Sequence, residues 1–96
     1  MPDMSERIRI QTLADHEYAV EVTEGTTQTR HRVVVPVDLI DDLGLAGADE
    51  QTVVRESIAF LLEREPATSI YDEFPLDTVA SRFPDFADEL RTRLAS

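Results

Sequence analysis

"TTQTRHRVVVP", residues 26–36, sets two arginines and a histidine on a strand-like run that closes on three valines and a proline. The fold turns on what lies beside this run. Successive side chains of a strand point to opposite faces, so His31, Val33 and Val35 share one side and Gln28, Arg30 and Arg32 the other. The first side asks for a core. Three consecutive valines also predict burial on both faces toward the end of the strand.

Two more alternating runs precede it. In "RIRIQTL", residues 7–13, Ile8 and Ile10 separate from Arg7, Arg9 and Gln11; in residues 17–23, Tyr18, Val20 and Val22 separate from Glu17, Ala19, Glu21 and Thr23. The links "ADH" and "EGTT", the second with Gly25, are short enough for hairpins. The pattern predicts a three-stranded antiparallel meander over about 7–13, 17–23 and 28–35. Arg7, Arg9, Arg30 and Arg32 then flank Glu17 and Glu21 on the outer face, where cross-strand ion pairs contribute about 0.2–1 kcal/mol each.

After Pro36 the period changes to that of helices. "VDLIDDLGL" places Val37, Ile40 and Leu43 on one face of a short helix over 37–43, ended by Gly44. Asp49 is the expected N-cap of the longest helix, 50–65, whose stripe of Val54, Ile58, Leu61 and Leu62 is widened by Val53 and Phe60. Pro66 stops it. Pro75 and Pro84 divide the remainder into a loop pinned by Ile70, Tyr71 and Phe74 and two helices over 76–82 and 85–94. The last has Phe86, Leu90 and Leu94 in line, with Glu89 in reach of Arg93. One α+β domain over residues 1–96 follows, with three to four helices on one face of the meander and residues 1–5 disordered.

Composition bounds the chemistry. The 96 residues contain no cysteine, which removes disulfides, zinc–cysteine sites and thiol catalysis from this chain. Nine arginines and no lysine stand against 20 acids, a net charge of −11 that disfavours anionic partners. Residues 1–36 hold six acids and four arginines, net −2; residues 37–96 hold fourteen acids and five arginines, net −9. Such a composition suits a high-GC genome or a salt-loving host. Neither a signal-peptide pattern nor an apolar stretch of membrane-spanning length is present in the sequence, so a cytoplasmic protein without membrane association is expected.

Catalytic signatures are weak. His16 sits in a hairpin turn between Asp15 and Glu17, His31 lies on the apolar face of its strand, and Ser57 and Ser69 lack the glycines of a nucleophile elbow. Asp38, Asp41 and Asp42 have a spacing that could hold a hard cation, yet they read as a solvated face in so acidic a chain. The expectation is no enzyme, no catalytic or metal residues and no cofactor.

The run "HRVVVPVDLIDDLGLAGADEQTVVRESIAFLLERE" resembles the strand–helix–turn–helix order of ribbon-helix-helix DNA-binding proteins over the middle third of the chain. That resemblance implies a dimer whose paired strands enter the major groove, with Gln28, Arg30 and Arg32 as the nucleic-acid-binding residues. As a whole the chain looks like small prokaryotic proteins of undefined function with an "FLLEREP" helix and a "SIYDEF"-type segment. Two functional expectations stand side by side. One is a small acidic, non-enzymatic interaction or regulatory module that meets a protein partner or a second copy of itself. The other is a ribbon-helix-helix-like DNA-binding regulator or antitoxin.

Overall fold

A computed structural model describes residues 8–45 and 47–95. The expected disorder of residues 1–5 and the outward placement of Arg7 lie outside the described residues. β1 (Ile8–Ala14), β2 (Glu17–Glu24) and β3 (Thr27–Val34) form the antiparallel meander that the alternation dictates. Register brings Ile8 opposite Val22, Ile10 opposite Val20, Val20 opposite His31 and Tyr18 opposite Val33. Of these, Ile8, Tyr18, Val20, Val22, His31 and Val33 are buried, so one face of the sheet is the floor of the core.

The sheet has four strands rather than three. β4 (Glu73–Pro75) runs parallel to β3 in the order β1-β2-β3-β4, in a segment expected to be loop. The Arg32 amide donates to the Asp72 carbonyl at 2.7 Å and the Leu76 amide to the Val34 carbonyl at 2.8 Å, with Phe74 buried opposite Val33. The outer edge of β3 over Arg32–Val34 is therefore filled from the same chain. This pairing also accounts for the valine triplet, since Val34 is half-buried between β2 and β4. Ile70 and Phe74 anchor the segment as expected, whereas Tyr71 is 55% exposed and anchors nothing in the core.

Four helices follow the meander: α1 (Leu39–Asp42), α2 (Glu50–Leu62), α3 (Asp77–Arg82) and α4 (Phe86–Ala95). α1 is shorter than the expected 37–43. Val37 falls in the turn after Pro36 and is 74% exposed; Leu39 is buried in its stead, beside Leu43 as expected. α2 begins where expected, the Asp49 carboxylate accepting from the Thr52 amide at 3.0 Å to satisfy one orphan donor of the first turn. It ends at Leu62, not at Glu65, because the residue before a proline resists helical geometry and the chain turns through 63–65. A 3-10 turn at Ala67–Ser69 leads toward β4.

The helices cover the apolar face of the sheet, and Val53, Val54, Ile58 and Phe60 of α2 are fully buried in that interface. Phe60 meets Phe86 of α4 and Phe83 edge-on at centroid distances of 5.2 and 5.5 Å, an arrangement that suits the ring quadrupoles. Arg64 stacks 3.6 Å above the Phe60 ring and reaches Asp85 at 2.7 Å. On α4, Arg93 bonds Glu63 and lies 3.7 Å from Glu56 and 3.6 Å from Glu89, which ties α4 to α2. No described helix covers the opposite face of the sheet. On it Arg9, Gln11, Gln28, Arg30 and Arg32 are exposed, while Glu17, Ala19, Glu21 and Val34 are half-buried.

Candidate functional site

Among the described residues, β1 is the free margin of the sheet. Its inner side packs against α2, and at its start Arg55 of α2 donates to the Ile8 carbonyl at 2.8 Å. From Arg9 to Ala14 the strand is exposed except for half-buried Ile10. Regular pairing with β2 runs from Ile8 to Thr12 and is broken by a bulge at Leu13, which is 50% exposed. Such a bulge twists an edge away from further pairing, and here it guards only the hairpin end.

The outer face has an order that follows from register. Arg9, Glu21 and Arg30 stand in one row across β1, β2 and β3; Gln11, Ala19, Arg32 and Glu73 stand in the next across all four strands. Charge thus alternates strand by strand: positive on β1, negative on β2 with Glu17 and Glu21, positive on β3, negative on β4. Arg32 donates to Glu17 Oε1 at 2.8 Å and Arg30 Nε lies 3.4 Å from Glu21, realising the expected cross-strand pairs. Arg9 is different. It has no carboxylate within ion-pair distance among the described residues, whereas the other described arginines all have an acceptor. An open depression of about 430 Å³ lies over this face, with Ala19 in its floor and Arg9, Gln11, Glu21 and Arg30 around it.

At the other end of β1, the hairpin meets the N-terminus of α2. Glu50 accepts from Tyr18 Oη at 2.7 Å through Oε1, and its Oε2 lies 2.6 Å from His16 Nδ1. Burial, the hydrogen bond to Glu50 and the charges of Glu50, Asp49 and Asp15 push the Tyr18 hydroxyl up to about 12. His16 takes a left-handed conformation, φ +64°, which histidine tolerates better than most side chains with a Cβ. Its carbonyl accepts from the Val35 amide at 2.8 Å, so the turn is held by β3 as well as by α2. In the sequence His16 stands between two acids of a hairpin turn and Glu50 merely opens the helix that Asp49 caps. The partnership spans 34 positions and has no local signature.

The remaining candidates are distributed singly. His31 is buried, with Nδ1 2.8 Å from the Tyr71 carbonyl and Nε2 2.8 Å from Thr29 Oγ1, so both ring nitrogens are engaged. Ser57 is buried and donates to the Val53 carbonyl one helical turn back at 2.7 Å; Ser69 is exposed in the 3-10 turn. Asp38, Asp41 and Asp42 are all exposed, and no cluster of three or more metal-ligating side chains occurs among the described residues. Gln28, Arg30 and Arg32 do share the exposed outer face, as their alternation requires. No described helix is long and apolar enough to cross a membrane.

Comparison gives no relative to reason from. Neither protein-family models, nor curated proteins, nor solved structures match this chain. Function must be argued from the geometry of the sheet margin itself.

Proposed function

We propose that the protein is a small, non-enzymatic interaction module that receives an extended segment of a protein partner along β1. The observation that supports this reading is the edge of β1, exposed from Arg9 to Ala14 save for half-buried Ile10 and free beyond the Ile8 carbonyl that Arg55 occupies. A bare edge offers a row of backbone donors and acceptors to an incoming strand. Folded proteins commonly guard such edges with lysine, proline or inward charge. "IRIQTLA" has no lysine, no proline and a single charge, Arg9, on the outer face. In a chain of net charge −11, this strip carries no acid of its own to repel an approaching acidic segment.

The test is titration of the full chain with a short extended peptide of alternating threonine and valine around a central glutamate. Two further versions carry N-methyl groups on one or the other alternate set of amides. Strand addition requires that methylating the set facing β1 abolishes binding and that methylating the outward set does not. Equal binding of all three peptides, or binding of none, contradicts the reading.

A second reading draws on Gln28, Arg30 and Arg32, which stand exposed on the outer face of β3. As a ribbon-helix-helix-like DNA-binding regulator or antitoxin, the chain would turn these side chains from Glu17 and Glu21 to phosphates and base edges. It requires salt-sensitive DNA binding that Arg30→Ala with Arg32→Ala abolishes while circular dichroism is unchanged. DNA affinity that survives the double substitution removes it.

A further inference from the structure

We infer that the segment β1 receives carries an aspartate or glutamate opposite Arg9, with aliphatic residues at the two neighbouring positions, and that Arg9 selects it. The inference rests on the strand-addition reading above and adds the chemistry of the partner. Its ground is the charge order of the outer face. Glu73 on β4, Arg30 and Arg32 on β3, Glu17 and Glu21 on β2 and Arg9 on β1 alternate in sign across the sheet. Each described charged strand therefore has opposite charge on its neighbours, until the order reaches the free margin and stops on a guanidinium without a carboxylate partner among the described residues.

The next strand in the order is negative. Directly opposite residues on adjacent strands share a face and lie about 5 Å apart, so an acid placed opposite Arg9 completes the row Arg30–Glu21–Arg9. The positions on either side of that acid point to the inner face beside Ile8 and Ile10. Ile10 is only half-buried at the margin, and an aliphatic neighbour there extends the apolar floor over it. The occupant is thus an extended segment of pattern aliphatic–acid–aliphatic. A second copy of β1 does not fit the pattern, because "IRIQTLA" contains no acid to set against Arg9.

The peptide used above is compared with versions whose central residue is glutamine or lysine, on the full chain and on the Arg9→Glu variant. A cross-strand ion pair near the top of its usual range makes the glutamate peptide about fivefold tighter than the glutamine peptide. The net charge of −11 pulls the other way and favours the lysine peptide through long-range attraction, so a preference for glutamate reports the local contact. In the Arg9→Glu variant the order inverts and the lysine peptide becomes the tightest. If all three bind the native chain equally, the acid rule falls while strand addition stands. A native chain that binds none of them overturns both. Concentration-dependent dimerisation by sedimentation that outcompetes the peptides and is indifferent to Arg9→Glu assigns the edge to a second copy and overturns the inference.

Discussion

Glu50 joins two residues of the β1–β2 hairpin to the first turn of α2, its Oε1 accepting from the Tyr18 hydroxyl at 2.7 Å while Oε2 meets His16 Nδ1 at 2.6 Å. Removing it strands a buried phenol. Glu50→Ala is expected to lower stability by about 1–3 kcal/mol, the cost of an unsatisfied buried donor. Tyr18→Phe, which removes the donor too, costs less, about 1 kcal/mol. Chemical denaturation of the two variants and the pair checks both values; additive losses would show that the two side chains do not act together.

The Tyr18 hydroxyl ionises late. Its folded value of about 12 lies above the ordinary 10, so the contact with Glu50 contributes in full below pH 10 and is lost as pH rises through about 12. Spectrophotometric titration of tyrosinate is expected to show a step near pH 12 that Tyr18→Phe deletes. A titration complete by pH 10.5 would contradict the geometry at Glu50.

His16 carries a backbone cost that glycine does not. His16→Ala keeps a Cβ in the left-handed region and loses the contact with Glu50, whereas His16→Gly loses only the contact. The glycine variant is expected to be the more stable of the two by about 1 kcal/mol. Thermal unfolding of both proteins decides it, and a less stable glycine variant would mean that the turn has relaxed to another form.

Arg32 and Glu17 are coupled across β2 and β3. A double-mutant cycle with alanine at both positions is expected to give about 0.2–1 kcal/mol, falling as salt rises, because the pair is largely solvated. A coupling unaffected by molar salt would contradict an exposed pair.

β4 depends on one side chain. Phe74→Ala is expected to cost about 3–5 kcal/mol as a buried aromatic is lost. It should also expose the Arg32 and Leu76 amides, which bond across the β3–β4 join, to rapid hydrogen exchange. Phe74→Leu preserves much of the buried surface and should keep both amides protected. Unchanged protection of these amides in the folded alanine variant would show that backbone pairing alone holds β4.

How much of this was legible follows from how each element is stabilised. The meander could be read because Ile8, Tyr18, Val20, Val22 and Val33 each obey a period of two against a single core, and the stripes of α2 and α4 obey the helical period for the same reason. β4 could not. Three residues ending on Pro75 show no periodicity, and the strand exists through pairing with β3, some 40 positions earlier. The same holds for His16 and Glu50, whose neighbours in sequence explain each of them separately. Val37 was misplaced because hydrophobicity alone put it on the face of α1, whereas the turn after Pro36 starts that helix two residues later. At the candidate site the alternation located Arg9 on the outer face, but its lack of a carboxylate partner among the described residues depends on strand order, which only the fold supplies.

The central claim is that β1 is a receiving edge, and backbone amide mapping tests it most directly. On adding the glutamate peptide to uniformly nitrogen-15-labelled full chain, the largest shift changes and the gain in hydrogen-exchange protection are expected along Ile8–Leu13, with α3 and α4 unmoved. Changes concentrated on α3 and α4, or confined to Gln28, Arg30 and Arg32 on β3, would contradict the account.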